Sequence, residues 1–226
     1  MERIADLRAS RVAVYPTPVI PIARLLAGSL GKQLMETLGF GVARAEGGEV
    51  HLGQGSISID GEEIIILNLQ MNDRRVMLTV EGTSAQADAV AQAIKMMVAP
   101  EDAWPAPKVV VYETACTARL NFGWQQLVSG GLRDFVEDSL KPSAESMGET
   151  PEITRVDVVM NLKYATPKSL AEYDISLSPK PFIVGVAPQT PPDDRIFRTQ
   201  SPTTSDEHLR LLGALEAALA DKQEAA

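Results

Sequence analysis

The apolar residues of this chain switch several times between the alternation of a strand and the spacing of a helix. A β-type run at residues 11–15, ended by Pro16 and Pro18, predicts a first strand. Over residues 22–38 a leucine or isoleucine recurs at every fourth position, which is the apolar stripe of a helix. Gly39 follows directly and suits the left-handed position that ends many helices. The chain therefore opens with a strand followed by a helix.

A run of short strands follows, because the helical spacing is lost and turn signals appear. Residues 56–60 alternate strictly between polar and apolar side chains, as a half-buried strand does. The dipeptide Asp60-Gly61 then favours a tight hairpin. The period later returns to that of a helix, which Thr83 and Gln86 can cap. Residues 11–98 thus predict a strand, a helix, a set of antiparallel strands and a second helix.

The second half of the chain repeats this order of elements. We predict a strand at 108–118, a helix at 122–140, strands at 154–164, 171–178 and 182–188, and a last helix at 204–221. The proline-rich residues 100–107 separate the two halves. The chain is therefore interpreted as two units, 1–104 and 105–226, which can also form one continuous domain.

Each half predicts a β-α-β(3–4)-α layer, so the fold class is α+β, with antiparallel sheets that carry helices on one face. Two such layers joined edge to edge would form one curved sheet with a pseudo-two-fold axis, and the junction would remove two exposed edges. This order of elements is similar to the duplicated unit of the TATA-binding-protein-like folds. The resemblance covers most of the chain but rests on no residue motif. It implies a fold and not an activity.

The charge of the chain is acidic throughout. Its 226 residues carry 21 lysines and arginines against 30 aspartates and glutamates, a net charge of −9. Residues 1–104 and 105–226 share this excess almost equally, so neither half is basic. Binding to a phosphate backbone is dominated by clustered lysines and arginines. A nucleic-acid-binding saddle is therefore the least favoured function.

The chain also lacks the sequence signals of an exported or membrane-bound protein. Cys116 is the single cysteine, which excludes an intrachain disulfide and fits a reducing compartment. No segment approaches the ~20 consecutive apolar residues that a membrane-spanning helix needs. We therefore predict a cytoplasmic protein with no membrane partner.

No motif for catalysis, a metal or a cofactor is present in the sequence. His51, His208 and Cys116 lie far apart along the chain and lack the spacing of a metal site. The glycine clusters match no phosphate-binding loop, and there is no serine elbow. Cys116 lies inside a predicted strand, which is more typical of a small core residue than of a reactive thiolate. We predict no catalytic residue, no metal and no cofactor.

Residues 188–204 form the most distinctive segment, because they contain four prolines and are predicted to be irregular. Within them, Ile196 and Phe197 lie between Arg195 and Arg198. An apolar anchor with a charged rim is typical of protein interfaces. We therefore predict that these four residues bind a partner. The alternative is that Ile196 and Phe197 only attach the loop to the core.

The predicted function is that of a non-catalytic module that binds a protein partner or associates with itself. The partner is not identified by the sequence. The first alternative is an enzyme whose site lies in a cleft between the two layers and is built from scattered polar residues. The second is the nucleic-acid-binding saddle that the acidic charge disfavours.

Overall fold

The computed structural model describes residues 3–27, 29–98, 104–128, 132, 138–139, 142, 157–162 and 180–220. The strands are β1 (Arg3–Val14), β2 (Val42–Glu46), β3 (Glu49–Ile59), β4 (Glu62–Met71), β5 (Arg75–Glu81), β6 (Val109–Arg119), β7 (Asp157–Leu162), β8 (Lys180–Val186) and β9 (Ile196–Ser201). The helices are α1 (Ile22–Ala27), α2 (Ser29–Thr37), α3 (Ser84–Val98) and α4 (Ser205–Ala220). Short 3-10 turns lie at Trp124–Gln126 and Pro192–Asp194.

The described strands form one antiparallel sheet in the order β2-β3-β4-β5-β1-β6-β9-β8-β7. The first strand of each half, β1 and β6, therefore lies beside the other at the centre of the sheet. The predicted α+β class with an antiparallel sheet is confirmed. In the central strands every second side chain is buried under the helices, and the side chains between them are partly or fully exposed. We call the side of the sheet that bears these exposed side chains the open face.

Two tight turns of the first half contain consecutive residues with positive φ. Gly47 and Gly48, at φ 58° and 81°, connect β2 to β3, and Asp60 and Gly61, at φ 52° and 85°, connect β3 to β4. Two consecutive residues with positive φ make the turn type whose twist matches a two-residue hairpin. Glycine reaches this region without the strain that a Cβ atom causes. The hairpin predicted at Asp60-Gly61 is confirmed.

The predicted capping box at the start of α3 is also confirmed. The Thr83 backbone N–H donates to the Gln86 side-chain oxygen at 2.8 Å, and the Gln86 N–H donates to the Thr83 hydroxyl at 3.2 Å. These bonds satisfy backbone donors that have no partner inside the helix. The helix therefore begins where the sequence places it.

Buried side chains fall into two separate clusters, one for each half of the sheet. The first lies between β1, β3, β4, β5 and helices α1 to α3, and includes Leu34, Ile66, Leu69, Leu78 and Ile94. The second lies between β6, β8, β9 and α4, and includes Leu120, Phe122, Val184, Phe197 and Leu212. The two halves thus share a sheet but have their own cores.

Three contacts join the halves at the centre of the sheet. β1 pairs with β6 from Arg3 opposite Arg119 to Val14 opposite Val109. A bulge in β1 allows Leu7 to pack against the second cluster. The helices α3 and α4 begin side by side, and their first residues are both buried.

The N-termini of α3 and α4 cap each other. The Ser84 N–H donates to the Ser205 hydroxyl at 2.7 Å, and the Ser205 N–H donates to the Ser84 hydroxyl at 3.1 Å. A serine side chain commonly accepts a hydrogen bond from a free N–H group at the start of a helix, and that helix is usually the serine's own. Here each serine supplies the cap of the other helix and holds the two halves together.

The largest difference from the sequence prediction lies in residues 188–204. We predicted an irregular segment, but residues 196–201 form β9, which pairs with both β6 and β8. The prediction of an irregular segment is wrong for these residues, because the prolines flank the strand and do not lie within it. The predicted helix at 122–140 is described only in part, with a 3-10 turn at Trp124–Gln126. The predicted strand at 171–178 lies outside the described residues.

The position of Phe197 leads to a test that separates fold from surface. Phe197 is 0% exposed and packs against Phe122 with a ring separation of 5.1 Å. We expect Phe197→Ala to lower the free energy of unfolding by about 3–5 kcal/mol, because it leaves a cavity in the second cluster. Arg198→Ala should change it by less than about 0.5 kcal/mol, because that side chain is exposed. Urea unfolding followed by circular dichroism checks both, and equal effects would contradict the alternation in β9.

Candidate functional site

The residues predicted to bind a partner lie on β9 or at its start, and the strand separates them by face. Ile196 and Arg198 project from the open face, whereas Phe197 belongs to the second core cluster. Arg195 is exposed and precedes the strand at φ 58°, in the left-handed region. Its backbone oxygen accepts a hydrogen bond from the Leu120 N–H at 3.0 Å, which holds it in place. The structure thus brings Arg195, Ile196 and Arg198 to one surface and places Phe197 beneath it.

Strand pairing adds an arginine that the sequence analysis missed. In the β6–β9 register, Arg119 is the direct partner of Ile196, and Thr117 is the partner of Arg198. Direct partners in an antiparallel pair lie on the same face, and diagonal neighbours are within reach of long side chains. Arg119 and Arg198 are therefore neighbours on the open face. We call Arg119, Arg195, Ile196 and Arg198 the arginine patch.

Small neighbours leave the patch open. On the other side of Arg198, its partner in β8 is Gly185, which has no side chain. Thr117, its partner in β6, is short. Arg8, at the margin of the patch, is also exposed and lies opposite Ala115. The guanidinium groups thus stand above their surroundings and are accessible to a partner.

The arginines of the patch form no ion pair with a described carboxylate. Among the described residues, no carboxylate lies within 4 Å of Arg8, Arg119, Arg195 or Arg198. The Asp6 carboxylate is nearby, but it accepts a hydrogen bond from the Thr117 hydroxyl at 3.4 Å. A guanidinium offers a planar fork of donors that matches a carboxylate or a phosphate. The patch is therefore a surface suited to an anionic group.

A second group of polar residues lies under β9, on the helix side of the sheet. His208 of α4 is 0% exposed, as are Thr199 and Ser201 of β9. His208 Nδ1 lies 2.7 Å from the Ser201 hydroxyl, and Nε2 lies 3.0 Å from the Thr199 hydroxyl. Cys116 of β6 completes the group, with its sulfur 3.2 Å from the Thr199 hydroxyl and 3.5 Å from Nε2. We call these four residues the buried polar cluster.

The donor and the acceptor of each hydrogen bond around His208 can be assigned. The Thr199 hydroxyl donates to the Cys116 backbone oxygen at 3.1 Å, so it accepts from His208 Nε2. The proton of the neutral ring is therefore on Nε2, and Nδ1 accepts from Ser201. The Ser201 oxygen in turn accepts from Thr203 at 2.6 Å. Both nitrogens of the neutral imidazole are satisfied, which is the condition for burying a polar side chain at low cost.

The chemistry of the cluster is closed to a substrate. A serine and a histidine in hydrogen-bond contact resemble a nucleophile and its base. However, the Ser201 and His208 side chains have no exposed surface in the described structure. Burial raises the pKa of the Cys116 thiol, so Cys116 is held as the neutral thiol. The predicted core position of Cys116 is confirmed.

The structure also brings together His208 and Cys116, which are distant in the sequence. A tetrahedral zinc site takes four ligands, and His208 and Cys116 offer only two candidates. Within the described residues, no group of three histidine, cysteine, aspartate or glutamate side chains could hold a metal. Sequence reasoning missed this proximity because the signal is weak. It consists of polar residues at alternate positions of a short strand, Thr199 and Ser201, followed by a histidine near the start of a helix.

Ionisable groups also meet beside a cavity of about 120 Å3 near Trp104. The Arg11 guanidinium contacts the Asp88 carboxylate at 2.6 Å, and the Tyr112 hydroxyl donates to the same carboxylate at 2.9 Å. Burial, and then the bond to Asp88, raise the pKa of Tyr112, and burial raises that of Tyr15. Proton transfer is most efficient when the pKa lies near the working pH. These tyrosines are therefore shifted away from an acid–base role.

Comparison with protein-family models, with curated proteins and with solved structures found no match to this chain. In the part of the chain that the structure describes, no helix has the length and apolar character needed to cross a membrane. The function must therefore be inferred from the residues themselves.

The buried histidine predicts a pH dependence of stability. Burial lowers the pKa of His208 from 6.5 to about 4, so the folded state takes up the proton less readily than the unfolded state does. Its stabilising effect is complete above pH 6.5 and is lost as the pH falls towards 4. A shift of this size corresponds to about 3 kcal/mol. Unfolding in urea between pH 7.5 and 4 should show the decline.

The chain offers a matched control, because it contains two histidines. His51 is partly exposed on β3, with 40% of its side chain accessible. We expect His208→Gln to flatten the decline between pH 6.5 and 4, and His51→Gln to leave it nearly unchanged. Equal slopes in the two variants would show that His208 is not the group that titrates.

Proposed function

We propose that this protein is a non-catalytic binding module that recognises an acidic segment of a protein partner through the arginine patch. The observation that carries the proposal is that Arg119, Arg195 and Arg198 form no ion pair with any described carboxylate. Carboxylates of a partner would form these ion pairs. Ile196, between the arginines, offers apolar contact at the centre of the patch, as interfaces commonly do.

A protein partner is favoured over a nucleic acid on grounds of charge. A nucleic acid presents a continuous line of phosphates, and binding it well requires a long basic surface. Here the three arginines of the patch lie close together at one end of β6 and β9, and acidic residues border them. Glu81 is the cross-strand partner of Arg8 in β5, and Glu113 lies two residues before Ala115 in β6. A short acidic segment fits this pattern better than a polyanion does.

We further infer that the two halves are copies of one unit, related by a pseudo-two-fold axis at the centre of the sheet. Ala9 pairs with Val80 in the first half and Thr114 pairs with Ser201 in the second, and Ala9 and Thr114 also pair with each other. An axis through that pair relates β1 to β6 and β5 to β9. The reciprocal serine caps of α3 and α4 support the same relation.

If this relation holds, the buried polar cluster is a property of one copy only. Counterpart positions are those with equivalent strand partners or equivalent places in a helix. The counterparts of Thr199, Ser201 and His208 are Leu78, Val80 and Ala87, which are all buried and apolar. The fold therefore does not need polar residues at these positions. We interpret the cluster as a structural element that makes the two copies different, so that each helix packs on its own half of the sheet.

Binding by the patch is tested with a labelled glutamate-rich peptide and fluorescence anisotropy at low ionic strength. We expect Arg119→Glu/Arg198→Glu to weaken binding by at least about tenfold. Each reversal replaces an attraction of up to about 1 kcal/mol with a repulsion of similar size. Added salt should weaken binding to the wild type, since exposed charges are screened.

The control reverses the same number of positive charges at a different part of the surface. Arg74 and Lys108 are exposed near the opposite ends of the central strands. Arg74→Glu/Lys108→Glu should bind the peptide about as well as the wild type. If both double variants lose affinity equally, binding depends only on the net charge of the protein, and the proposed site is wrong. If the wild type binds single-stranded DNA as tightly as the peptide, the assignment of a protein partner is wrong.

Duplication predicts that the cluster can be replaced as a set. Thr199→Leu/Ser201→Val/His208→Ala inserts the residues of the first half, and we expect its stability at pH 7 to stay within about 1 kcal/mol of wild type, because the buried polar side chains that bond to one another are removed together and the partly exposed Thr203 hydroxyl can bond to water. His208→Ala alone should cost at least about 2 kcal/mol, because it leaves hydroxyls unsatisfied. Urea unfolding compares the two. A triple variant less stable than the single one would contradict the equivalence.

A further inference from the structure

The strand β2 lies at one end of the described sheet and is exposed on both of its faces. All five of its residues, from Val42 to Glu46, are exposed, and β3 is its only partner among the described strands. Edge strands are commonly protected by lysines, prolines, bulges or a covering element. β2 has no lysine or proline, its register with β3 is continuous, and its two charged side chains, Arg44 and Glu46, have opposite signs. No described element pairs with its outer edge, which can therefore accept another strand.

The helix layer does not obstruct this edge. Ala43 and Ala45, on the helix side of β2, are small and leave a groove of about 370 Å3 against Leu34 and Met35 of α2. The walls of this groove are mostly apolar. The helix side of β2 is thus bordered by a groove and not by a closely packed helix.

The turn that follows β2 determines which backbone groups point outward. Gly47 and Gly48 form a two-residue hairpin turn, so Glu46 and Glu49 flank it as a hydrogen-bonded pair. Hydrogen-bonded and non-hydrogen-bonded positions alternate along an antiparallel strand. Ala43 and Ala45 therefore direct their backbone N–H and C=O groups away from β3.

The charges of β2 are complementary to those of a second β2. Arg44 and Glu46 share the open face and have no ion-pair partner among the described residues. The nearby Glu49 is already occupied, because it accepts hydrogen bonds from Gln70, Asn72 and Arg75. Arg44 and Glu46 are thus available to a partner.

We propose that two copies of this chain dimerise by antiparallel pairing of β2 with β2, centred on Ala45. In this register, Ala45 of one copy and Ala45 of the other form a hydrogen-bonded pair. It places Arg44 of each copy opposite Glu46 of the other, at the close non-hydrogen-bonded positions where side chains interact best. The register centred on Arg44 would instead oppose two arginines, which is unfavourable. The interface is isologous, as a two-fold dimer requires. It does not involve the arginine patch.

Sedimentation velocity across a concentration series tests the proposal on the full chain. The wild type should dimerise reversibly. Arg44→Glu and Glu46→Arg should each weaken the dimer by at least about tenfold, because each creates two like-charge pairs. Arg44→Glu/Glu46→Arg should restore the wild-type affinity. An equimolar mixture of the two single variants should form a heterodimer, since both of its cross-strand pairs are again complementary.

A backbone variant tests the strand pairing itself. Ala45→Pro removes an N–H that β3 does not use, and proline is tolerated on an edge strand. It should abolish the dimer while circular dichroism stays that of the wild type. As a control, Arg119→Glu/Arg198→Glu should dimerise normally. A wild type that stays monomeric, single charge variants that dimerise like the wild type, or an Ala45→Pro protein that still dimerises would each overturn the proposal.

Discussion

The pairing of β1 with β6 is the interaction on which the rest of the structure depends. Among the described residues the buried side chains form two separate clusters, and Leu7 and Val110 each pack against the cluster of the other half. What joins them is a backbone ladder along two long strands, supported by the paired caps of Ser84 and Ser205. Without this ladder, each half would expose a long central edge, which favours aggregation. Small residues such as Ala9 and Ala13 on β1 let the helices cover the junction closely.

The sequence predicted local structure well where one residue type dictates the backbone. Glycine at positive φ, the dipeptide Asp60-Gly61 and the Thr83–Gln86 box each act over a few residues, and the structure has all three. The prediction failed at β9, because prolines around a six-residue strand outweighed its alternating pattern. The alternation itself is present in the sequence, with an arginine between Phe197 and Thr199.

The candidate site was less predictable than the fold, for a physical reason. Arg198 belonged to the predicted set, but its neighbour Arg119 enters only through the register between β6 and β9. Registers between strands far apart in the chain depend on the whole sheet, and periodicity within one strand does not reveal them. The same applies to His208, whose partners come from two strands and whose burial cannot be inferred from one isolated histidine. The strand β9 thus has two roles, since its buried residues position α4 and its exposed residues form the surface.

The two proposed surfaces are compatible in one assembly. A two-fold axis at Ala45, perpendicular to the sheet, keeps the open faces of both copies on the same side. The arginine patches would then lie roughly 60 Å apart along the joined sheet, if strands keep their usual spacing of about 4.8 Å. A partner with two acidic segments could occupy both patches, and the second contact would form at a high effective concentration. Each ion pair at one patch contributes little binding energy alone. Two patches bound together would therefore raise the affinity without a larger contact area at either one. The dimer edge would therefore affect binding although it contacts no partner itself.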